Sequence, residues 1–244
     1  MFPLRDNIPT ENFPFVTVAL ILANVFVYFF LQDGRLGLPD SGFGGDWPTP
    51  NYAVIPCEIT GSHPCAVAPG GPSAVVTLFT SMFMHGSIVH LGGNMLFLWI
   101  FGNNVEDSMG RIKFVIFYLL GGLAADALQI ATSAGSNVPS LGASGAIAGV
   151  LGGYLVLFPA ARVVTVVFII FFFTILELPA MLFLGIWIVQ QALFAYFDLF
   201  QPQGGGGGVA YFAHIGGFLF GLLAIKLFAS ERRRRRQLER IGTA

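Results

Sequence analysis

Residues 142–158, GASGAIAGVLGGYLVLF, decide how the rest of the chain is read. The stretch is apolar and uncharged, and it spaces Gly145, Gly149 and Gly153 four residues apart. That spacing puts all three glycines on one helix face, and small residues so arranged let two helices in lipid approach at close range. A second stretch is complementary. In residues 211–221, YFAHIGGFLFG, Gly217 and Gly221 lie at i+3 and i+7 from His214 and share its face. Ser144 and His214 both fall near the start of their apolar runs, so two packed helices running the same way would hold them at similar depth.

The surroundings are those of a membrane protein. Of 244 residues, 55% are hydrophobic and 10% charged, and the mean hydropathy is +0.75. A soluble domain carries about 25% charged residues, so the chain needs the lipid bilayer as solvent. The net charge of -1 says little, but its distribution is informative: arginines 232–236, with Arg240, cluster at the C-terminal end as a topology anchor. No basic patch interleaves with aromatics, so a nucleic-acid partner is not expected. The first apolar run, from Phe15, lacks a positive leader region and an A-x-A site, and reads as a span.

Apolar runs predict helices over 15–31, 88–101 (starting nearer His85), 112–132, 143–158 and 209–228. The Gly/Pro-rich 32–81 reads as a long external loop. An arginine-rich tail on the cytoplasmic side requires one more crossing, assigned to 179–197. Residues 163–178 are then a non-crossing piece, whose β-branched VVTVVFII suits an interfacial strand or a partly buried segment. The expectation is six spans with both termini cytoplasmic: a segment 1–14, a membrane domain 15–229 and a basic tail 230–244. Arg35 would be the one basic residue in an external loop. Cys57 and Cys65 share the long loop, where an oxidising compartment permits a disulfide; a metal site with His63 is the alternative.

Ionisable or polar groups inside spans are expensive and mark candidate sites. Here they are His85, His90, Asn94, Asp126, Gln129, Ser144 and His214. Ser144 sits between Gly142 and Gly145 at a helix start, where unpaired N–H groups favour a developing oxyanion. A serine hydroxyl needs a base, and a neutral imidazole serves. His90 and Asn94 are i, i+4 and project from one face, with hydrogen-bond donors for an oxyanion. Each of these also reads as interhelical polar glue. The histidines run HGSIVH without a glutamate, unlike HExxH, so no metal is expected. Asp126 fits either an orienting group for His214 or a structural hydrogen bond.

The pieces H85-GSIV-H90-LGG-N94, G142-A-S144-G and A213-H214-IGG-FLF-G221, in this order, resemble the rhomboid intramembrane serine proteases. The resemblance covers nearly all of 15–228. It implies an all-α, polytopic six-helix bundle with a long external first loop. It implies a Ser144–His214 dyad, His90 and Asn94 as oxyanion donors, and His85 in support beside Gly142 and Gly145. Gly149, Gly217 and Gly221 remain helix-packing positions. The expected activity is endopeptidase cleavage of transmembrane protein substrates near the outer end of their spans, without a cofactor. The alternatives are a non-catalytic protein of the same fold escorting transmembrane clients, or a transporter, for which no internal repeat speaks. Residues 198–208, with glycines 204–208, suggest a movable cap, with the fifth helix as a side gate. Compact size and the missing leader point to a prokaryotic plasma membrane.

Overall fold

The computed structural model describes residues 1–32, 52–65, 71–169, 172–200 and 209–239. Arg35, Arg240 and glycines 204–208 of the expected cap lie outside these residues.

The fold is mostly helical. Helix α1 (Phe15–Phe26) continues through a π-helical turn, Val27–Leu31, and so fills the first apolar run. Pro14 offers α1 no side-chain cap. The cap comes from across the fold: Glu106 Oε1 accepts from the Val16 N–H at 3.0 Å, and Oε2 from the Thr17 N–H and hydroxyl, each at 2.8 Å. A carboxylate there satisfies orphan donors and complements the helix dipole. In the first loop lie α2 (Pro56–Thr60) and α3 (Ala74–Thr80). The Cys57–Cys65 disulfide closes this segment, which rules out the two thiols as metal ligands. A β-bridge from Val54 to Ser140 ties it to the chain leading into Ser144.

After a bend of 79° comes α4 (Ile88–Phe97), capped by the Ser87 Oγ, which accepts from the His90 N–H at 3.1 Å. This helix does not end at Phe101. It runs through a π turn, Leu98–Gly102, into α5 (Asn103–Met109), and Gly110 at φ +88° ends it. The polar stretch 103–107, for which the rhomboid resemblance implies a turn after the second span, is therefore helical. Partners in the N-terminal segment make this tolerable: Asp107 accepts from the Glu11 N–H and Asn12 Nδ2 as Glu106 does from α1.

The remaining helices are α6 (Arg111–Thr132), α7 (Ser144–Leu157), α8 (Ala180–Asp198), α9 (Tyr211–Phe228) and α10 (Glu231–Glu239). Three of them, α6, α8 and α9, are long and apolar enough to cross a membrane, and the bent pair Ala74–Phe83 with Ile88–Met109 is a fourth candidate. Phe15–Leu31 and Ser144–Leu157 are shorter apolar helices.

Every residue from Gly145 to Tyr154 is buried, so α7 is the central rod, covered on all sides. Its closest neighbour is α9. A Cβ on Gly217 would overlap the Gly145 carbonyl oxygen, one on Gly221 the Gly149 carbonyl, and one on Gly152 the Phe218 carbonyl. Only hydrogen fits at these three positions.

The segment 163–178 takes the strand alternative. Strands β2 (Arg162–Ile169) and β3 (Phe172–Pro179) form an antiparallel hairpin, and β1 (Phe2–Asp6) adds to β2, giving the order β1-β2-β3. Strand β1 has no strong sequence signal; β-branched β2 supplies the edge that recruits it. At its end, Asp6 accepts hydrogen bonds from Asn104 Nδ2 at 2.6 Å and from the Tyr154 hydroxyl. Burial pushes the Asp6 carboxyl up to about 7 despite these bonds. The arginine tail is also docked: Arg234 Nε donates to the Leu157 carbonyl at 2.9 Å, closing the end of α7. Gln237, fully buried, donates to the Asn104 carbonyl at 3.3 Å.

Two outcomes follow. Gly221→Val should cost roughly 1–3 kcal/mol by overpacking, read as a lower thermal midpoint in detergent, whereas Gly92→Ala, with open space around it, should leave the midpoint unchanged. The folded-state pKa of Asp6 lies above the unfolded value of about 3.9. Its contribution is therefore fully present below about pH 4 and is lost as pH rises towards 7. Across that window the midpoint of the parent should fall relative to that of Asp6→Asn, and parallel pH profiles would contradict this.

Candidate active site

Ser144 opens α7 because the residues before it cannot continue the helix backwards. Gly142 holds φ +129°, and its N–H donates to the Ser81 carbonyl at 2.9 Å. A Cβ on Gly142 would stand 2.8 Å from His90 Cε1 and 3.5 Å from Ser144 Oγ. Glycine is thus required twice, for the left-handed backbone and for room beside the imidazole. The same distances put His90 next to the serine.

His214, in the first turn of α9, brings its Nε2 to 2.9 Å from Ser144 Oγ. Its Nδ1 lies 2.9 Å from Gln191 Oε1 on α8. The Gln191 Nε2 donates to the Trp187 carbonyl at 3.4 Å, which orients the amide oxygen towards His214. An oxygen at Nδ1 can only accept, so the proton sits on Nδ1 and the Nε2 lone pair faces the serine hydroxyl. The Trp187 ring, centred 5.8 Å from the imidazole, walls the same side. Gln129 Oε1 accepts from the Ala213 N–H at 3.2 Å and pins the start of α9 to α6.

Asn94 Nδ2 is 2.9 Å from His85 Nε2, and the His85 and His90 rings meet edge to face at 5.1 Å. His85 is itself held on both sides by Gln32, which accepts from its N–H at 3.0 Å and donates to its carbonyl at 3.3 Å. So Ser144, His214, His90 and Gly142 converge, with Asn94 and His85 behind His90. Gly145, Gly149, Gly217 and Gly221 make the helix contact beneath them.

Asp126 does not reach His214, since Gln191 occupies Nδ1. It lines a cavity of about 20 Å³ with Ser144, Ser140 and Gly142, space for about one water. Its Oδ2 has no hydrogen-bond partner among the described residues, so the expected structural hydrogen bond is not found. Gln191 is the residue that sequence reasoning passed over. The signal was the polar pair 190–191 inside an otherwise apolar run.

A polytopic membrane protein with a partly buried serine–histidine contact between helices is the class this fold and site define. Residues 72–231 match the Rhomboid domain family, and the chain belongs to that family. It is 31% identical over 176 residues to Rhomboid protein 1, mitochondrial, of Saccharomyces cerevisiae, covering 68% of this chain and 46% of that protein. It is 32% identical over 99 residues to the Homo sapiens Presenilin-associated rhomboid-like protein, mitochondrial, covering 40% of this chain and 26% of that one. It is 42% identical over 78 residues to Rhomboid protease GluP of Bacillus subtilis, covering 32% and 15%. The chain thus spans less than half the length of the curated relatives it matches. The expectation of a prokaryotic plasma membrane is corrected by these matches. The yeast, zebrafish, mouse and human relatives are mitochondrial by name, and compact size does not separate the two membranes.

Gly142→Ala should lower the thermal midpoint, because the new methyl meets both the strained φ and the His90 ring. Gly135→Ala, with nothing nearby, should not. Equal midpoints would show that His90 does not depend on the Gly142 backbone.

Proposed function

We propose that this protein is an intramembrane serine endopeptidase acting on transmembrane protein substrates. The 2.9 Å contact between Ser144 Oγ and His214 Nε2 carries the reading. In the proposed reaction Ser144 Oγ attacks the scissile carbonyl as its proton passes to His214 Nε2. The amide nitrogen takes that proton and leaves as an amine, so an acyl-enzyme remains. Water then loses a proton to His214 and attacks the acyl carbon. His214 returns that proton to Ser144, and the new carboxylic acid departs and loses its remaining proton to water.

Negative charge appears on the carbonyl oxygen in both steps. The proposed donors to it are the Ser144 N–H at the start of α7 and the side chain of His90, whose ring lies beside Gly142; Asn94 stands one turn further along α4, with its Nδ2 at His85 Nε2. Such donors are worth about 100- to 1,000-fold each in turnover. Gln191 acts as a positioning residue: it selects the imidazole tautomer and shares the charge of the imidazolium through the Nδ1–H. This is a part that an acid plays in many triads, here given to an amide. Helical carbonyls are tied up in hydrogen bonds, so the substrate span should carry small or helix-weakening residues near the end on the Ser144 side. The proposed topology has six crossings, with both termini on the tail side of the membrane.

The test is cleavage of a model transmembrane substrate in detergent by the parent, Ser144→Ala and His214→Ala. The parent alone should cleave, and turnover by all three, or by none, would contradict the reading. Gln191→Leu should lower kcat at least 10-fold with little change in KM, and Gln191→Glu should recover part of it with an altered pH profile. A uniform loss of stability with an unchanged pH profile would make Gln191 merely structural.

A further inference from the structure

A second cavity lies at the opposite end of the bundle from Ser144. It holds about 470 Å³, between the entry to α1, the start of α6 and the tail helix α10. Arg111, Lys113 and Arg233 line it, together with Glu106 and Asp107. The two carboxylates are buried and already engaged, Glu106 by Val16 and Thr17, and Asp107 by Glu11, Asn12 and Gln237. They act inward, on the fold.

Among the described residues, the three cations are each held by a single contact. The Arg111 guanidinium lies 4.1 Å over the Phe15 ring, which leaves its N–H donors available. Lys113 Nζ donates to the Phe228 carbonyl at 3.2 Å, and Arg233 Nη1 to the Asp107 carbonyl at 3.5 Å. Beside them, Phe13, Phe15 and Ile112 are 58%, 53% and 78% exposed. Water does not suit a rim of that kind. The apolar helices α1 and α6 both start here, so the rim marks where headgroup gives way to hydrocarbon.

We propose that this cavity binds the phosphodiester headgroup of an anionic phospholipid, with its acyl chains running along α1 and α6. Basic pockets between membrane helices recognise such headgroups by charge and by N–H donors that fork onto phosphate oxygens. The apolar rim commits the site to a lipid over a soluble phosphate, because a free anion has no use for three exposed apolar side chains. Arg233 comes from the tail helix, so an occupied site also fastens α10 to the bundle.

Native mass spectrometry of the detergent-purified chain, titrated with phosphatidylglycerol and with phosphatidylcholine, tests the proposal. The parent should retain phosphatidylglycerol at least 10-fold more tightly. Combined Arg111→Gln, Lys113→Gln and Arg233→Gln should bring it down to the phosphatidylcholine level. Arg232→Gln with Arg235→Gln, exposed tail positions outside the cavity, should change nothing. Should the triple variant fail to fold by circular dichroism, Lys113→Gln alone should weaken retention about 3-fold. The proposal fails if a folded cavity variant keeps the parental preference. It fails equally if the exposed pair abolishes that preference, or if water-soluble glycerophosphoglycerol binds as tightly as the lipid.

Discussion

The close backbone contact between α7 and α9 is the constraint on which the rest depends. Lipid gives two apolar helices little reason to leave it for each other, so association rests on close packing and polar contacts. Here Gly217 meets the Gly145 carbonyl and Gly221 the Gly149 carbonyl, at separations that no side chain would allow. The contact lies directly beneath Ser144 and His214. It fixes the depth of both side chains, and the single remaining freedom is rotation of the imidazole, which Gln191 removes through Nδ1.

Because α7 carries the serine, its other end must not slide. Two elements, one from each end of the chain, hold it: β1 and α10. Asp6 bonds the Tyr154 hydroxyl, Arg234 caps the Leu157 carbonyl, and Glu106 and Gln237 connect α5 to the N-terminal segment and the tail. Most of the charged groups that do structural work thus gather on the tail side, where water is near. The Ser144 side is left with histidines and amides, which can bond inside lipid without carrying charge. Asp126 departs from this pattern: it lines the cavity at Ser144, and its Oδ2 has no partner among the described residues.

Much of this was legible in the sequence, for identifiable reasons. Apolar length located the helices to within a few residues, as α6 and α9 show, because hydrocarbon imposes it. Glycine spacing on two faces foretold the α7–α9 contact, because only small residues permit it. What escaped depends on partners distant in sequence. The resemblance implies a turn at 103–107 organised by Glu106; the organising role is there, but its partners are the N–H groups of α1, some 90 residues away, and the stretch is helical. Strand β1 has no pattern of its own and is recruited by β2. Gln191 could be noticed as polar, but its partner lies 23 residues further along, on another helix. The sequence leaves Asp126 between an orienting group and a structural hydrogen bond, because the cavity it lines has no signature in a linear string.

The most direct test of the central claim is the rate at which a fluorophosphonate modifies Ser144, located by peptide mapping, in the parent and in folded His214→Gln. A serine activated by an adjacent imidazole should be the residue labelled, and the histidine variant should react at least 100-fold more slowly. Labelling of another serine, or an unchanged rate at Ser144 without His214, would contradict the account.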